Sequence, residues 1–293
     1  MQNKVSDIAS NTAEISIASA AEISTEKTGY LDQEFRLFHI KDQTKRTFSY
    51  HYHDFHKVII FLSGKAAYHI EGKSYYLKPW DILLVNRHAI HKPEIDFSVP
   101  YERFVLWIRD DIAEADLLRC FQKAIDRSFN LIRLDSGTQE KLKQLLCELE
   151  ASLKAEKFGS SLLSTALFTQ FMIYVNRIFL EKQYIYDTHS YSSDSQIEEL
   201  LCYINHNLNE DLSIETLARK YYLSKYHMMR KFKEETGYTI HNYITSKRLL
   251  LARAQIAEGV PILKAAQLSG FSDYTTFSRA YKKQFGSAPS RAQ

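Results

Sequence analysis

The sequence predicts a protein of the α+β class: a small N-terminal β-barrel, interface helices that follow it, and an all-α C-terminal domain. Three observations carry this prediction. Short strands with tight turns fill residues 35–108, the spacing of apolar residues becomes helical after Arg109, and an internal repeat lies near the C-terminus. The repeat predicts two helix-turn-helix units joined by a long helix.

Length and composition fit a globular protein of two ordinary domains, since the 293 residues are 45% hydrophobic and 25% charged. Cys120, Cys147 and Cys202 are far apart and odd in number, which indicates buried, reduced thiols in place of a disulfide framework. We find no run of about 18 apolar residues that could span a bilayer, and no basic segment leading into an apolar one near the N-terminus. We therefore expect a cytoplasmic protein.

Changes in composition and period divide the chain into five predicted segments. They are a mobile arm over 1–29, a barrel over 30–109, a helical segment over 110–182, a polar linker over 183–195 and a helical domain over 196–293.

The barrel is predicted from short apolar runs that end at turn residues. The run 57–63 ends at Gly64, and the run 66–71 is followed by Gly72-Lys73, a hairpin signal. Further runs follow at 74–77, 81–85 and 102–108. Many short strands with tight turns are typical of a sandwich or a small barrel.

Helical spacing predicts helices over 111–124, 138–154 and 161–180. The third has an apolar stripe that is too wide for a solvated helix. Its members are Leu162, Leu163, Ala166, Leu167, Phe171, Tyr174, Val175, Ile178 and Phe179. Such a surface must be buried against the barrel or against a second copy, and we expect a homodimer that associates through these helices.

Two segments near the C-terminus match each other. At an offset of 48, Ala218, Leu223, Ser224 and Tyr226 correspond to Ala266, Phe271, Ser272 and Tyr274. At an offset of 49, Arg230, Phe232, Lys233 and Gly237 correspond to Arg279, Tyr281, Lys282 and Gly286. One extra residue therefore lies in the second copy.

Each copy predicts a helix-turn-helix unit. The first helix begins after Ser213 or Pro261, and the second begins at a capping Ser224 or Ser272. Gly270 supplies backbone freedom in the second turn. A helix over about 241–258 lies between the copies, and its apolar residues can pack on both units. These residues are Ile244, Leu249, Ala252 and Ile256.

The second helix of each unit has an apolar inward face, formed by Met228 and Phe232 or by Phe277 and Tyr281. The outward residues are Lys225, Tyr226, Met229 and Arg230 in the first unit and Tyr274, Thr275, Ser278 and Arg279 in the second. Aromatic, hydroxyl and Arg side chains near a helix N-terminus can contact base edges in the major groove. The units therefore predict a double-stranded DNA partner.

The distribution of charge along the chain also favours a DNA partner. Residues 197–293 contain 14 Lys and Arg against 9 Asp and Glu, a net charge of +5, while the rest of the chain has −2. A local basic excess indicates a polyanionic partner. The side chains that we expect at phosphates are Lys231, Lys233, Lys282 and Lys283.

The C-terminal residues resemble the AraC/XylS family of bacterial transcription regulators. The matching stretches are 243–249, Ala252, 270–282, Phe285-Gly286 and Pro289-Ser290. The resemblance spans nearly the whole helical domain. It implies base contacts by Tyr226, Met229, Arg230, Tyr274, Thr275 and Arg279.

The N-terminal half resembles the cupin-type sensing domain common in that family, over residues 51–64, 71–75, 78–81 and at His91. In cupin metalloenzymes a His-X-His pair, a carboxylate and a later His hold a metal. Strand alternation places His51 and His53 on one face, where they can converge with His91. Lys57 occupies the position expected for the carboxylate, and its charge repels a metal ion. We therefore predict no metal and no cofactor.

The barrel interior also predicts a pocket for one small polar effector, with a carbohydrate as the leading class because Trp and Tyr faces stack on sugar rings. Its candidate residues are His51, His53, Tyr68, Trp80 and His91, and ordinary barrel packing is the alternative for each. Trp80 stands where related barrels have Gly, which puts the turn geometry in question because a bulky residue resists positive φ.

Two functions follow from these patterns. The first is a sequence-specific DNA-binding regulator, an activator controlled by the effector, with RNA polymerase as a further partner and no membrane association. The alternative is a cupin-type metal-dependent oxygenase or isomerase with a helical C-terminal extension. Lys57 and the duplicated helix-turn-helix both favour the regulator over an enzyme.

Overall fold

The computed structural model describes residue 31, residues 33–43 and residues 48–291. The predicted arm over 1–29 lies outside these residues. The described chain is α+β, as predicted: antiparallel sheets come first and a helical domain follows.

In the residues that the structure describes, nine strands form two sheets. They are β1 Phe35–Asp42, β2 His56–Ser63, β3 Ala66–Ile70, β4 Lys73–Tyr76, β5 Ile82–Val85, β6 His91–Ile95, β7 Tyr101–Ile108, β8 Leu131–Ile132 and β9 Tyr191–Ser193. The five-stranded sheet has the order β1-β7-β2-β5-β8, and the four-stranded sheet has the order β6-β3-β4-β9. All of the pairings are antiparallel.

Local sequence explains two of the turns. The hairpin between β3 and β4 has Glu71 at φ 47° and Gly72 at φ 79°, as expected for a two-residue loop with both residues left-handed. Trp80 has φ 70°, so the turn before β5 keeps a left-handed residue although a bulky side chain occupies it. The expectation that Trp80 would resist this conformation was wrong. Its ring packs against the barrel core and lies under Lys143, contacts that offset the strain.

Helices α1 Arg119–Arg127, α2 Ser136–Lys154 and α3 Ser160–Leu180 come after β7, with β8 between α1 and α2 and β9 after α3. They pack on the barrel and share one continuous apolar core with it, where the rings of Phe35 and Phe168 stack at 4.0 Å. In the described part of the chain, α3 is the one helix whose length and composition would allow it to cross a membrane. Half of that helix is buried in the protein, as in a core helix.

The apolar stripe of α3 divides into two halves. Residues of the C-terminal half, such as Phe171, Val175 and Phe179, are buried in the core, whereas Leu162 and Leu163 are 77% and 53% exposed. The expectation of buried thiols also holds only in part, because Cys120 is buried while Cys147 and Cys202 are exposed.

The polar segment between the two domains is more structured than its composition suggests. It contributes β9, which pairs with β4. Asp187 accepts a hydrogen bond from Arg133 Nη1 at 2.8 Å, and the same guanidinium bonds Asp81 from Nε at 2.9 Å and from Nη2 at 2.6 Å. Asp81 and Arg133 are buried, so this bidentate pair fixes β5, β8 and the connecting segment together.

As far as it is described, to residue 291, the C-terminal domain contains six α-helices: α4 Ser195–His206, α5 Ile214–Lys220, α6 Lys225–Thr236, α7 Ile240–Ala257, α8 Ile262–Leu268 and α9 Tyr274–Phe285. Its apolar residues form two separate clusters. Ile244 of α7 belongs to the cluster with α4, α5 and α6, whereas Leu249 and Ile256 belong to the cluster with α8 and α9. The predicted bridging helix therefore packs on both units.

Candidate functional site

The first helix-turn-helix unit consists of α5 and α6. Ser213 caps α5 by accepting a hydrogen bond from the backbone N–H of Thr216, and Ser224 caps α6 by accepting one from His227. Both caps were predicted. Between the helices, Tyr222 has φ 53° and is almost fully exposed, at the position that Gly270 occupies in the second unit.

The second unit consists of α8 and α9. Gly270 has φ 88°, and a Cβ there would lie 2.3 Å from the carbonyl oxygen of Leu208, so this turn requires glycine. The cap of α9 is Asp273, whose carboxylate accepts a hydrogen bond from the N–H of Thr276 at 2.6 Å. The prediction that Ser272 would cap this helix was wrong. The extra residue in the second copy shifts the helix start by one position.

The outward faces of α6 and α9 carry the side chains that sequence reasoning assigned to DNA bases. Met228, Phe232, Phe277 and Tyr281 are buried beneath these helices, as predicted. Of the eight outward residues, seven are exposed and Ser278 is half-buried. Tyr226 is 75% exposed and Tyr274 is 45% exposed, which places an aromatic ring in the first turn of each helix.

Several basic residues of this surface already have acidic partners. Lys231 Nζ lies 2.5 Å from Asp194, the residue that caps α4, so it must leave that carboxylate to contact a phosphate. Lys225 pairs with Glu215, and Arg230 lies 3.9 Å from Glu234. The other predicted phosphate ligands are exposed; they are Lys233, Lys282 and Lys283.

In the barrel, the three predicted histidines come together. His51 and His91 face each other across an antiparallel bridge, with both backbone N–H to carbonyl distances at 3.0 Å. The ring centroids of His51 and His91 are 4.4 Å apart, and each lies 5.0 Å from that of His53. Ring nitrogens of all three lie within 4.8 Å of one another.

Hydrogen bonds define which ring nitrogens face this cluster. Nδ1 of His51 lies 2.9 Å from the carbonyl oxygen of Ser49, and Nδ1 of His91 lies 2.9 Å from that of Ala89. Because a carbonyl oxygen only accepts, both Nδ1 atoms carry the proton, and both Nε2 atoms have a lone pair. Burial, reinforced by Lys57, lowers the pKa of His51 to about 4 and holds the pKa of His91 well below its usual value.

Lys57, whose charge was expected to repel a metal ion, contacts this cluster. Its Nζ lies 2.7 Å from Nε2 of His53. Burial, with a smaller contribution from Arg103, lowers the pKa of Lys57 to about 7. His56 bonds Asp110 at 2.9 Å and packs on Phe121.

The other two candidate effector residues lie in different surroundings. Tyr68 is buried, and its hydroxyl lies 3.2 Å from that of Tyr101, while the contacts of Trp80 are those with the core and Lys143 described above. The rings that pack beside His53 are instead Phe55, at 4.7 Å between centroids, and Trp107, at 6.3 Å. Sequence reasoning missed both, because a buried aromatic residue in a strand is ordinary barrel packing.

The segment that carries two of the histidines also contacts the DNA-binding units. His51 and His53 face the cluster, and Tyr50, Tyr52 and Asp54 alternate with them. Tyr50 donates to the carbonyl of Glu235 at 3.2 Å and accepts from Tyr238 through its own carbonyl at 3.3 Å. These contacts lie at the C-terminal end of α6.

The next alternating residue contacts the second unit, and the one after it contacts the bridging helix α7. The hydroxyl of Tyr52 accepts a hydrogen bond from Gln284 near the end of α9 at 3.3 Å, and Asp54 lies 3.9 Å from Arg253 of α7. A Cβ on Gly237 would lie 2.1 Å from the ring of Tyr50, so the first contact is also close-packed. Five consecutive residues therefore connect the barrel interior to both units.

The β3–β4 hairpin forms a second contact between the domains. Glu71 accepts hydrogen bonds from Lys247 Nζ of α7 at 2.7 Å and from the hydroxyl of Tyr243. Lys73 pairs with Glu198 of α4 at 2.6 Å. These side chains are largely buried, so screening by salt is weak there.

The fold and these surfaces define a class of protein: a regulator in which a ligand-binding barrel is attached to two DNA-binding helix-turn-helix units. Family models give the same division. A model of the AraC-like ligand binding domain matches residues 36–172, and a model of a helix-turn-helix domain matches residues 217–293. The chain thus has the two domains of an AraC-family transcription regulator, an AraC-like ligand binding domain and a helix-turn-helix domain.

The proteins similar to this chain are transcription regulators, and the similarity covers most of their length. The probable transcriptional regulator LumQ of Photobacterium leiognathi is 27% identical over 84% of this chain and 92% of its own length. The transcriptional activator RhaS of Escherichia coli strain SE11 is 22% identical over 83% of this chain and 86% of its own. Among solved structures, ToxT of Vibrio cholerae O395 is 16% identical, covering 88% of this chain and 96% of its own, with a TM-score of 0.35.

The cap of α9 can be tested by a matched pair of substitutions. Asp273→Ala removes the carboxylate that satisfies the Thr276 N–H and should lower the free energy of unfolding of the helical domain by about 1 kcal/mol. Ser272→Ala should change it by less than about 0.5 kcal/mol. Urea unfolding of the full chain measures both, and equal effects of the two would contradict the assignment.

Proposed function

We propose that this protein is a sequence-specific transcription activator whose DNA binding is controlled by a small effector at the histidine cluster of the barrel. The observation that carries the proposal is the alternation in residues 50–54. Neighbouring side chains of this segment contact the histidine cluster on one side and both helix-turn-helix units on the other. A ligand that moves His51 or His53 must therefore move Tyr50 or Tyr52.

The DNA contacts are those of the two exposed helix faces. The N-terminal turns of α6 and α9 are free to enter the major groove, because the barrel contacts lie at the opposite ends of these helices. Since α7 packs on both units, we propose that the helices enter successive major-groove segments, about 34 Å or one helical turn apart.

In this arrangement Arg279 and Arg230 bond guanine and Met229 contacts a thymine methyl. Tyr226, Tyr274, Thr275, Ser278 and Lys225 complete the base-facing set. Lys233, Lys282 and Lys283 contact phosphates, and Lys231 joins them if it leaves Asp194. The activators among the relatives support an activating role, with RNA polymerase as the partner at the promoter and the cytoplasm as the place of action.

The effector class follows from what surrounds the three histidines. Imidazole nitrogens, the Lys57 ammonium and the rings of Phe55 and Trp107 suit a small polar molecule. A carbohydrate remains our proposal, with Trp107 in the stacking role first assigned to Trp80. Tyr68 lies too deep in its pair with Tyr101 to carry that role.

We further propose that two copies associate through the exposed half of α3. Phe158, Leu162 and Leu163 form an apolar surface at the N-terminal end of this helix, and Leu153 of α2 is exposed nearby in sequence. A second copy that presents the same surface would bury both.

Two substitutions on α9 distinguish base recognition from phosphate binding. Arg279→Ala should weaken the specific complex by about 1–3 kcal/mol and relax the preference at one base pair. Lys283→Ala should weaken binding to all sequences and flatten the salt dependence by about one charge. Selection of binding sites from fragmented genomic DNA, followed by titrations at several salt concentrations, measures both. Unchanged sequence preference in Arg279→Ala would contradict its role.

The contact between Tyr50 and Gly237 can be tested against its counterpart in the other unit. Gly237 and Gly286 have φ 75° and 73°, so an Ala at either position costs about 1 kcal/mol in backbone strain. Only at Gly237 would the new Cβ meet a side chain, the Tyr50 ring; at Gly286 nothing lies within 4 Å. Gly237→Ala should speed amide hydrogen exchange in residues 48–55, and Gly286→Ala should not. Equal exchange rates in both variants would contradict the coupling of Tyr50 to the first helix-turn-helix unit.

Self-association is tested by placing the same charge at two adjacent positions of α3. Leu162→Glu should convert a dimer at micromolar concentration into a monomer, because it adds a charge to the apolar surface. Ser161→Glu is the control, since Ser161 is already exposed and polar. Sedimentation velocity measures the mass of each, and a wild-type monomer at these concentrations would refute the dimer.

A further inference from the structure

Each of the three histidines in the barrel has one ring nitrogen with a lone pair. The hydrogen bonds to Ser49 and Ala89 leave the Nε2 lone pairs of His51 and His91 facing the cluster. His91 is 1% exposed, and its Nε2 has no hydrogen-bond partner. A buried polar atom without a partner is unfavourable, so a group that binds this nitrogen would stabilise the barrel.

The remaining nitrogen shows what kind of ligand fits. Nε2 of His53 accepts from Nζ of Lys57 at 2.7 Å, so this ring nitrogen also has a lone pair. An anion would meet three lone pairs and be repelled. A cation that accepts electron pairs would satisfy all three nitrogens at once.

The supporting hydrogen bonds are those of a metal centre. Metal-binding histidines almost always donate the other ring N–H to a carbonyl or carboxylate, which fixes the ring and its tautomer. His51 and His91 both do so through backbone carbonyls. Nitrogen ligands favour zinc, nickel, copper or iron over calcium and magnesium, which prefer oxygen.

We propose that His51, His53 and His91 bind one divalent transition-metal ion through their inward ring nitrogens. The Lys57 ammonium competes with the ion for His53 and is displaced when the ion binds. The argument from sequence against a metal rested on Lys57, which places a cation where a carboxylate is expected; three nitrogens suffice to hold an ion once that ammonium has moved away from His53. Three protein ligands also leave a coordination position open, and an oxygen atom of the effector can fill it.

This inference deepens the proposed function, since the ion would lie where the effector is expected. An ion bound to His51 and His53 would fix the segment that carries Tyr50 and Tyr52. The consequence for DNA binding rests on the proposed function, but metal binding itself does not. The two are therefore measured separately.

The first experiment titrates Zn²⁺ into full-length, chelator-treated protein by calorimetry, with a competing chelator of known affinity. We expect one tight equivalent per chain. His51→Gln and His91→Gln should each weaken it at least 100-fold, and His69→Gln should leave it unchanged, because His69 bonds Ser74 and Glu94 away from the cluster. Retention of the tight equivalent in both cluster variants, or its absence from the wild type, would overturn the site.

A second variant keeps the test valid if His91→Gln fails to fold, since His91 is buried. Lys57→Met removes the competing ammonium, keeps the length of the side chain and all three histidines, and should tighten Zn²⁺ binding at least tenfold. Unchanged or weaker binding would contradict the proposed competition. The absorption spectrum of bound Co²⁺ then reports nitrogen coordination directly, and loss of that spectrum in His51→Gln is the expected result.

Binding to genomic DNA fragments is measured on the same preparations, with and without Zn²⁺. If no specific DNA site is found while zinc binds at the histidines, the proposed function fails and the metal site stands. If a specific site is found and zinc does not bind, the reverse holds.

Discussion

The two-residue period of an extended chain is the constraint on which the function of this structure depends. In residues 50–54, side chains alternate between the barrel interior and the helical domain. His51 and His53 meet His91 on one side, while Tyr50, Tyr52 and Asp54 meet both helix-turn-helix units on the other. Neither set can shift by one residue without exchanging faces with the other.

The stiffness of the surrounding elements makes this constraint useful. The segment is held to β6 by the paired backbone hydrogen bonds of His51 and His91. On the other side α7 joins the two units, since its residues lie in both apolar clusters. The ion pair of Glu71 with Lys247 adds a second fixed point between the domains. Under the proposed function, a displacement in the barrel would therefore reach both DNA-binding helices.

The polar groups inside the barrel differ in whether they have hydrogen-bond partners. Tyr68 and Tyr101 satisfy each other, and Asp81 and Arg133 form a closed ion pair, so these groups serve the fold. The Nε2 atom of His91 is different, because it is buried and lacks a partner. Groups of this kind are rare in folded proteins, and this one supports the proposed metal site.

Much of this protein follows from its sequence, and the reason is local physics. Period-two and helical spacing predicted most of the strands and helices, the repeat predicted the two units, and Met228, Phe232, Phe277 and Tyr281 lie on the inward faces as expected. Parity alone placed His51 and His53 together. The cap at Asp273 was missed because one extra residue in a turn changes which side chain reaches the helix start, and caps depend on backbone angles that spacing does not encode.

Only the tertiary structure decided the contacts between residues that are far apart in sequence. No local pattern shows that Tyr52 meets Gln284, that Lys231 is held by Asp194, or that Trp80 lies apart from the histidines while Trp107 lies beside them. The left-handed conformation of Trp80 belongs to the same group, because packing against the core outweighs its backbone preference. The sequence by itself determined the elements and the faces they present; the packing of distant faces determined which side chains share a site, since that depends on all of the elements at once.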